Sequence, residues 1–179
     1  MKKLLFCLLS CIFLGFSACG GDDEDEVFIT DDAQAKEMII GKWVVKSVKL
    51  ESNYSPFDEL MNKSFVQSLQ QNTINMVFDK EYVVTTTIPK QDPSLTLNSR
   101  EKYYFENNKI YVEDIDIKET LTHTYKISNS LLEMRGDFTR DILIKMLKVE
   151  GTINGIDYTE FINSIPLNFS GKLIYILKK

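Results

Sequence analysis

The chain predicts a mainly β domain, an antiparallel sheet closed on itself with a few added helices. Three observations carry this. Short stretches of alternating apolar and polar residues recur from Ile74 to the end of the chain. Turn-forming residues such as Asn107-Asn108 separate several of them at hairpin distance. No parallel β-α-β rhythm and no internal repeat interrupts the series, and closure removes the edges a sheet of this size would otherwise expose.

The segment ahead of the domain is different in kind. Met1-Lys2-Lys3 opens it, and an apolar run from Leu4 to Phe16 follows, broken by Ser10 and Gly15. A bilayer crossing needs about 20 apolar residues, so this run reads as a secretory signal. Its small residues, Ser17 and Ala18, end on Cys19. The segment resembles a bacterial lipoprotein signal peptide, with Phe16 in the place usually held by Leu. The resemblance implies cleavage after residue 18, lipidation of Cys19, and attachment to the outer membrane through that N-terminal lipid anchor.

Residues 19–37 read as an acidic flexible tether. Asp22 to Glu26 are five consecutive acids that repel one another and cannot hold a core. Over 19–40 there are 8 acidic residues and one lysine, whereas 41–179 carries 18 acidic and 18 basic residues. The acidity belongs to the leader, and a neutral domain gives no electrostatic case for nucleic acid. A cysteine, glycines and then acids also resemble the surface-export leaders of Bacteroidota lipoproteins, which implies a cell-surface location. Cys7 and Cys11 leave with the signal, so the body has no thiol for disulfides, zinc or nucleophilic catalysis.

The domain is expected over 38–179. Asp31 to Ile40 predict a short helix with acids at its start, stopped by Gly41. Gly41 to Leu50 turn to strand composition. Ser55-Pro56-Phe57-Asp58 reads as a helix start capped by Ser55, and Phe57, Met61, Phe65 and Leu69 form its apolar stripe. Ile74, Met76 and Phe78 then share a strand face. A tight turn at Asp79-Lys80 leads to Tyr82, Val84, Thr86 and Ile88 on the next. Lys102–Phe105 and Lys109–Val112 flank the Asn107-Asn108 turn. Leu121, His123, Tyr125 and Ile127 alternate along another strand, and Leu131–Met134 make a short one. Phe138, Ile142, Met146 and Val149 fit a helix from about 139 to 150, ended by Gly151. A shorter helix runs through Phe161 and Ile165 to Pro166, and Leu167, Phe169, Leu173, Tyr175 and Leu177 alternate along the last strand.

Gly41-Lys42-Trp43, placed after a short helix and opening the first strand, resembles the Gly-x-Trp signature of lipocalins. The resemblance covers roughly residues 38–179 and implies an eight-stranded up-and-down barrel, with Gly41 and Trp43 as its base signature and the indole plugging the narrow end. The arginine that lipocalins stack on this tryptophan has no clear counterpart; Lys172 and Lys178 are the basic residues of the last strand. The chain is thus similar to lipocalin-like lipoproteins of Bacteroidota.

Catalytic sets are absent from the sequence. His123 is the single histidine, and alternation turns it inward, where a hydrogen-bonded interior role is expected. No Gly-x-Ser-x-Gly elbow or phosphate loop is present. Asp114 and Asp116 share a strand face and offer a carboxylate pair, although a solvated strand end is the simpler reading. Arg135-Gly136-Asp137 spells an adhesion tripeptide, with Gly136 more simply a strand terminator. No enzyme activity, cofactor or metal is expected. The function expected is a small apolar ligand held near the open end, lined by Tyr82, Val84, Tyr103, Phe105, Tyr125 and Tyr175. The alternative is a solid barrel that binds an envelope protein partner through its helices at 57–70 and 139–150.

Overall fold

Alternation of apolar and polar residues closes, in the computed structural model, into a barrel of eight antiparallel strands joined in sequence order, β1 pairing with β8. The structure describes residues 28–155 and 157–179. The expected signal segment, Cys19 and the acidic run at 22–26 lie outside the described residues. The strands are β1 Gly41–Ser52, β2 Asn72–Phe78, β3 Tyr82–Pro89, β4 Leu97–Glu106, β5 Lys109–Asp114, β6 Glu119–Ile127, β7 Leu131–Thr139 and β8 Ser170–Lys178. The helices are α1 Asp32–Met38, α2 Ser55–Gln71, α3 Arg140–Asn154 and α4 Thr159–Ser164. This is an all-antiparallel up-and-down barrel, compatible with a lipocalin-like fold.

Connection lengths give the barrel two unlike ends. At one end the strands turn tightly, at 79–81, 107–108 and 128–130. Asn107 and Asn108 hold the left-handed φ values of 53° and 57° expected of a two-residue hairpin. At the other end lie α2, between β1 and β2, and the pair α3–α4, between β7 and β8.

The tight end is closed by aromatic packing. Trp43 is fully buried and donates its Nε1–H to the Ile39 carbonyl at 2.6 Å. The Phe78, Tyr103, Phe105 and Tyr125 rings meet edge to face in series, with centroids 5.2, 6.0 and 5.1 Å apart. Each tyrosine hydroxyl there finds an acceptor. Tyr103 donates to the Asp79 carbonyl at 2.5 Å, and Tyr125 is 2.9 Å from the Thr30 carbonyl and from Asp32 Oδ1.

α1 packs on this base through Ala35 and Ile39, both fully buried, and Ile29 bridges to Ile127. Residues 28–37, expected within the flexible tether, are therefore docked on the barrel, because Ile29 and Ala35 supply apolar surface that the acids before them lack. Asp31 caps α1 by accepting from Ala33 and Gln34 N–H. Gly41, at φ 120°, opens β1 directly. A cation does lie over Trp43, and it comes from Lys179, one residue past Lys178. Its Nζ lies 4.9 Å from the ring centroid and donates to the Met38 carbonyl at 2.8 Å.

Several boundaries differ from the sequence expectation. Tyr54, not Ser55, is the α2 N-cap, and Asp58 turns to β1, accepting from the Ser52 N–H at 2.8 Å. Asn62 binds both backbone groups of Leu50, at 2.6 and 2.9 Å. These bonds fix α2 against β1, which a freely capped helix would not be. α3 continues through Gly151 to Asn154 before Gly155 takes φ 68°. β8 starts at Ser170, leaving Leu167 88% exposed and Phe169 buried under the helices.

Candidate functional site

The inner surface is set by strand parity, and one bulge decides it. Trp43 and Val45 face inward on β1. If alternation continued, Ser47, Lys49 and Glu51 would enter the core. The register instead shifts between Val45 and Ser47, so Val48 and Leu50 turn inward and the charged residues stay outside. Outward positions of the barrel carry Lys42, Lys49, Arg100, Lys102 and Lys126, all exposed. That pattern is the reverse of a membrane-spanning barrel, whose outer band is apolar. Among the described residues no helix is long and apolar enough to cross a membrane.

Two apolar clusters result. One fills the closed end around Trp43 and Phe78. The other ties the helices to the open end, with Leu50, Phe57, Phe65, Phe138, Leu143 and Phe169 at its centre. Between them lies a cavity of about 230 Å³. It exceeds the ~150 Å³ that suffices for a benzene-sized guest.

Its wall is mostly apolar, and four of the chain's six methionines contribute to it: Met61 from α2, Met76 from β2, Met134 from β7 and Met146 from α3. Unbranched thioethers adapt to irregular guests better than branched side chains do. The polar part of the lining comes from neighbouring strands, Thr85 and Thr87 of β3, Glu101 of β4, Asp114 of β5 and His123 of β6, with Tyr175 of β8 across from them. Among the described residues no lysine or arginine lines the cavity.

The polar groups here are incompletely paired. Among the described residues, His123, 8% exposed, has no hydrogen-bond partner for its Nδ1, and Ser68, 6% exposed on the inner face of α2, has none for its Oγ. Burial lowers the His123 pKa to about 4, with Asp137 opposing, so the imidazole is neutral at pH 7. Burial likewise raises both Glu101 and Asp114, and the charge of Asp114 adds to the shift at Glu101. Tyr175 is raised by burial and then by Asp114 and Glu101. Neither cavity carboxylate has an ion-pair partner among the described residues.

Gly136 makes the histidine's place. It lies directly across from His123 on β7, and a Cβ there would sit 2.7 Å from His123 Cδ2 and Nε2. It is an interior strand residue, not a terminator, and Arg135-Gly136-Asp137 is extended β7 backbone.

The six residues expected to line a ligand are dispersed. Tyr175 lines the cavity. Tyr103, Phe105 and Tyr125 point inward but fill the closed end. Tyr82 and Val84 lie on the outer face, Tyr82 with the Arg100 guanidinium 3.8 Å from its ring centroid. The inward set of β3 is Val83, Thr85 and Thr87, because the turn at Asp79 fixes the opposite parity. The expected Asp114–Asp116 pair also changes partner. Asp116 is exposed in the turn, its N–H donated to Asp114 Oδ1 at 3.0 Å, and the carboxylate that joins Asp114 on the inner wall is Glu101.

Sequence reasoning missed Glu101, Ser68 and the methionines. Glu101 carried a usable signal: it falls two residues before Tyr103 and four before Phe105, on the same strand face. The structure therefore defines the class as a closed up-and-down β-barrel with an amphipathic cavity under a helical cap. No protein-family model and no curated protein matches the chain.

Proposed function

We propose that the chain is a lipid-anchored envelope protein, non-catalytic, whose lipocalin-like barrel binds a small, largely apolar ligand in the cavity beneath α2 and α3. The observation that supports this reading is the cavity of about 230 Å³, left open between two otherwise packed clusters and walled by methionines. Ligand sites are concave and mainly apolar, with a few placed polar groups. The cavity has that composition.

Hexanol tests the binding. The expected result is a saturable rise in the thermal midpoint of the full chain. Leu121→Trp, which sets an indole into the cavity, should abolish it. A midpoint that hexanol leaves unmoved, or a rise that Leu121→Trp leaves intact, would contradict the reading. The anchor has its own test. Cys19→Ala should release the chain from membranes, because acyl chains supply the attachment; recovery of the variant in the membrane pellet would exclude it.

A further inference from the structure

Four observations define what the cavity asks of its ligand. Glu101 and Asp114 both line it from adjacent strands, and the β4–β5 register that pairs Lys102 with Glu113 brings them to facing positions one step further on. They have no counter-cation: among the described residues no lysine or arginine lines the cavity, and no ion pair involves either carboxylate. His123, nine-tenths buried and lining the same space, has an Nδ1 without a partner among the described residues, as Ser68 has an Oγ without one. The remaining wall is the methionine-rich surface of α2, β2, β7 and α3.

Half-buried carboxylates without a counter-cation and unpaired buried polar atoms are costly, and a ligand that supplies their partners recovers that cost on binding. We propose that the cavity selects a small amphipathic cation, with its apolar chain among the methionines and a primary ammonium group held between Glu101 and Asp114. This rests on the ligand-binding reading above.

An ammonium brings three N–H donors and no acceptor. The two carboxylates of β4 and β5 and the hydroxyl of Tyr175, which lines the cavity from β8, are acceptors for them. The site's electrostatics favour this guest over the alternatives. A carboxylate ligand would add a third negative charge to a wall with no positive one. A neutral alcohol satisfies one acceptor and leaves the carboxylates mutually repelling. His123, held neutral by burial, adds no positive charge to oppose the ammonium. A metal ion fits less well, because no group of three His, Cys, Asp or Glu side chains is gathered for one among the described residues.

Calorimetric titration of the full chain with hexylamine, hexanol and hexanoate at pH 7 tests the selection. These probes share one chain length and differ in head-group charge. Hexylamine is expected to bind roughly tenfold tighter than hexanol, the size of one charge-assisted hydrogen bond, and hexanoate weakest. Glu101→Gln and Asp114→Asn keep side-chain shape, and the amide oxygen introduced by the second still accepts from the turn. Each should remove most of the amine's advantage over hexanol. Equal affinity for amine and alcohol in the wild-type chain would overturn the cation proposal and leave the ligand-binding reading standing. Failure of all three probes would overturn both.

Discussion

The two ends of this barrel are built from the same eight strands and obey opposite rules. At the closed end the named polar groups are satisfied: Trp43 Nε1, Tyr103 Oη and Tyr125 Oη all donate to acceptors between 2.5 and 2.9 Å away. Toward the open end, Ser68 Oγ and His123 Nδ1 are buried without partners among the described residues, and two carboxylates face inward without a counter-cation among them. The first end has the chemistry of a core, in which polar atoms are tolerated when bonded. The second places a cavity beside unmet hydrogen-bonding capacity, a combination that costs stability and suits a ligand.

The closed end depends most on its plug. Trp43→Ala removes the largest fully buried side chain and should destabilise the domain by about 3–5 kcal/mol. Urea denaturation measures this; a loss below about 1 kcal/mol would mean that the base is not a packed core.

His123 sharpens the contrast through pH. Its folded pKa is near 4 against an ordinary 6.5, so the unfolded chain binds the proton more readily. Stability from this group is full above pH 6.5 and declines as pH falls toward 4, by roughly 3 kcal/mol at most. The raised Glu101 and Asp114 act in the opposite sense, favouring the fold as they protonate and ceasing to do so as pH rises through their folded values. The quantity to measure is therefore the difference between wild type and His123→Gln across pH 4 to 7. A flat difference would place His123 in contact with water.

Gly136→Ala should cost about 1–3 kcal/mol through its clash with His123. His123→Ala in the same chain should restore most of that loss, and additive losses would show that Gly136 serves some other neighbour. Tyr125→Phe removes the bonds to Thr30 and Asp32 and is expected to cost about 1 kcal/mol, together with faster amide exchange in α1. Glu101→Gln has the smallest expected effect and the opposite sign: a slight gain in stability at pH 7, since a carboxylate disfavoured by burial is replaced by a neutral amide. A closed-end substitution such as Tyr125→Phe should not stabilise the chain, and a Glu101→Gln loss comparable to it would erase the distinction between the two ends.

Much of the architecture was legible in the sequence because alternation records which face is buried. Ile74, Met76 and Phe78, and Leu121, His123, Tyr125 and Ile127, all turn inward as their period requires. Parity was harder where both phases were apolar. Tyr82-Val83-Val84 reads equally well either way, and only the Asp79 turn, where that side chain accepts from Glu81 and Tyr82 N–H, selects Val83 for the inside. The candidate site was less legible than the fold. Depth along an inward row decides whether a residue fills the plug or lines the cavity, and depth depends on cross-strand register. That is why Tyr103, Phe105 and Tyr125 went to the base and Tyr175 to the cavity. Glu101 escaped notice because a charged residue between Arg100 and Lys102 looks like solvent-facing sequence.

If the space under the helices is a binding cavity, its lining must respond to a guest. Methyl NMR of the full chain, labelled at its methionine methyl groups and titrated with hexanol, tests it most directly, because Met61, Met76, Met134 and Met146 line the cavity while Met38 packs at the closed end. Saturable shifts of the four cavity methyls with Met38 unmoved are expected. Shifts spread equally to Met38, or no shifts at all, would contradict a binding cavity there.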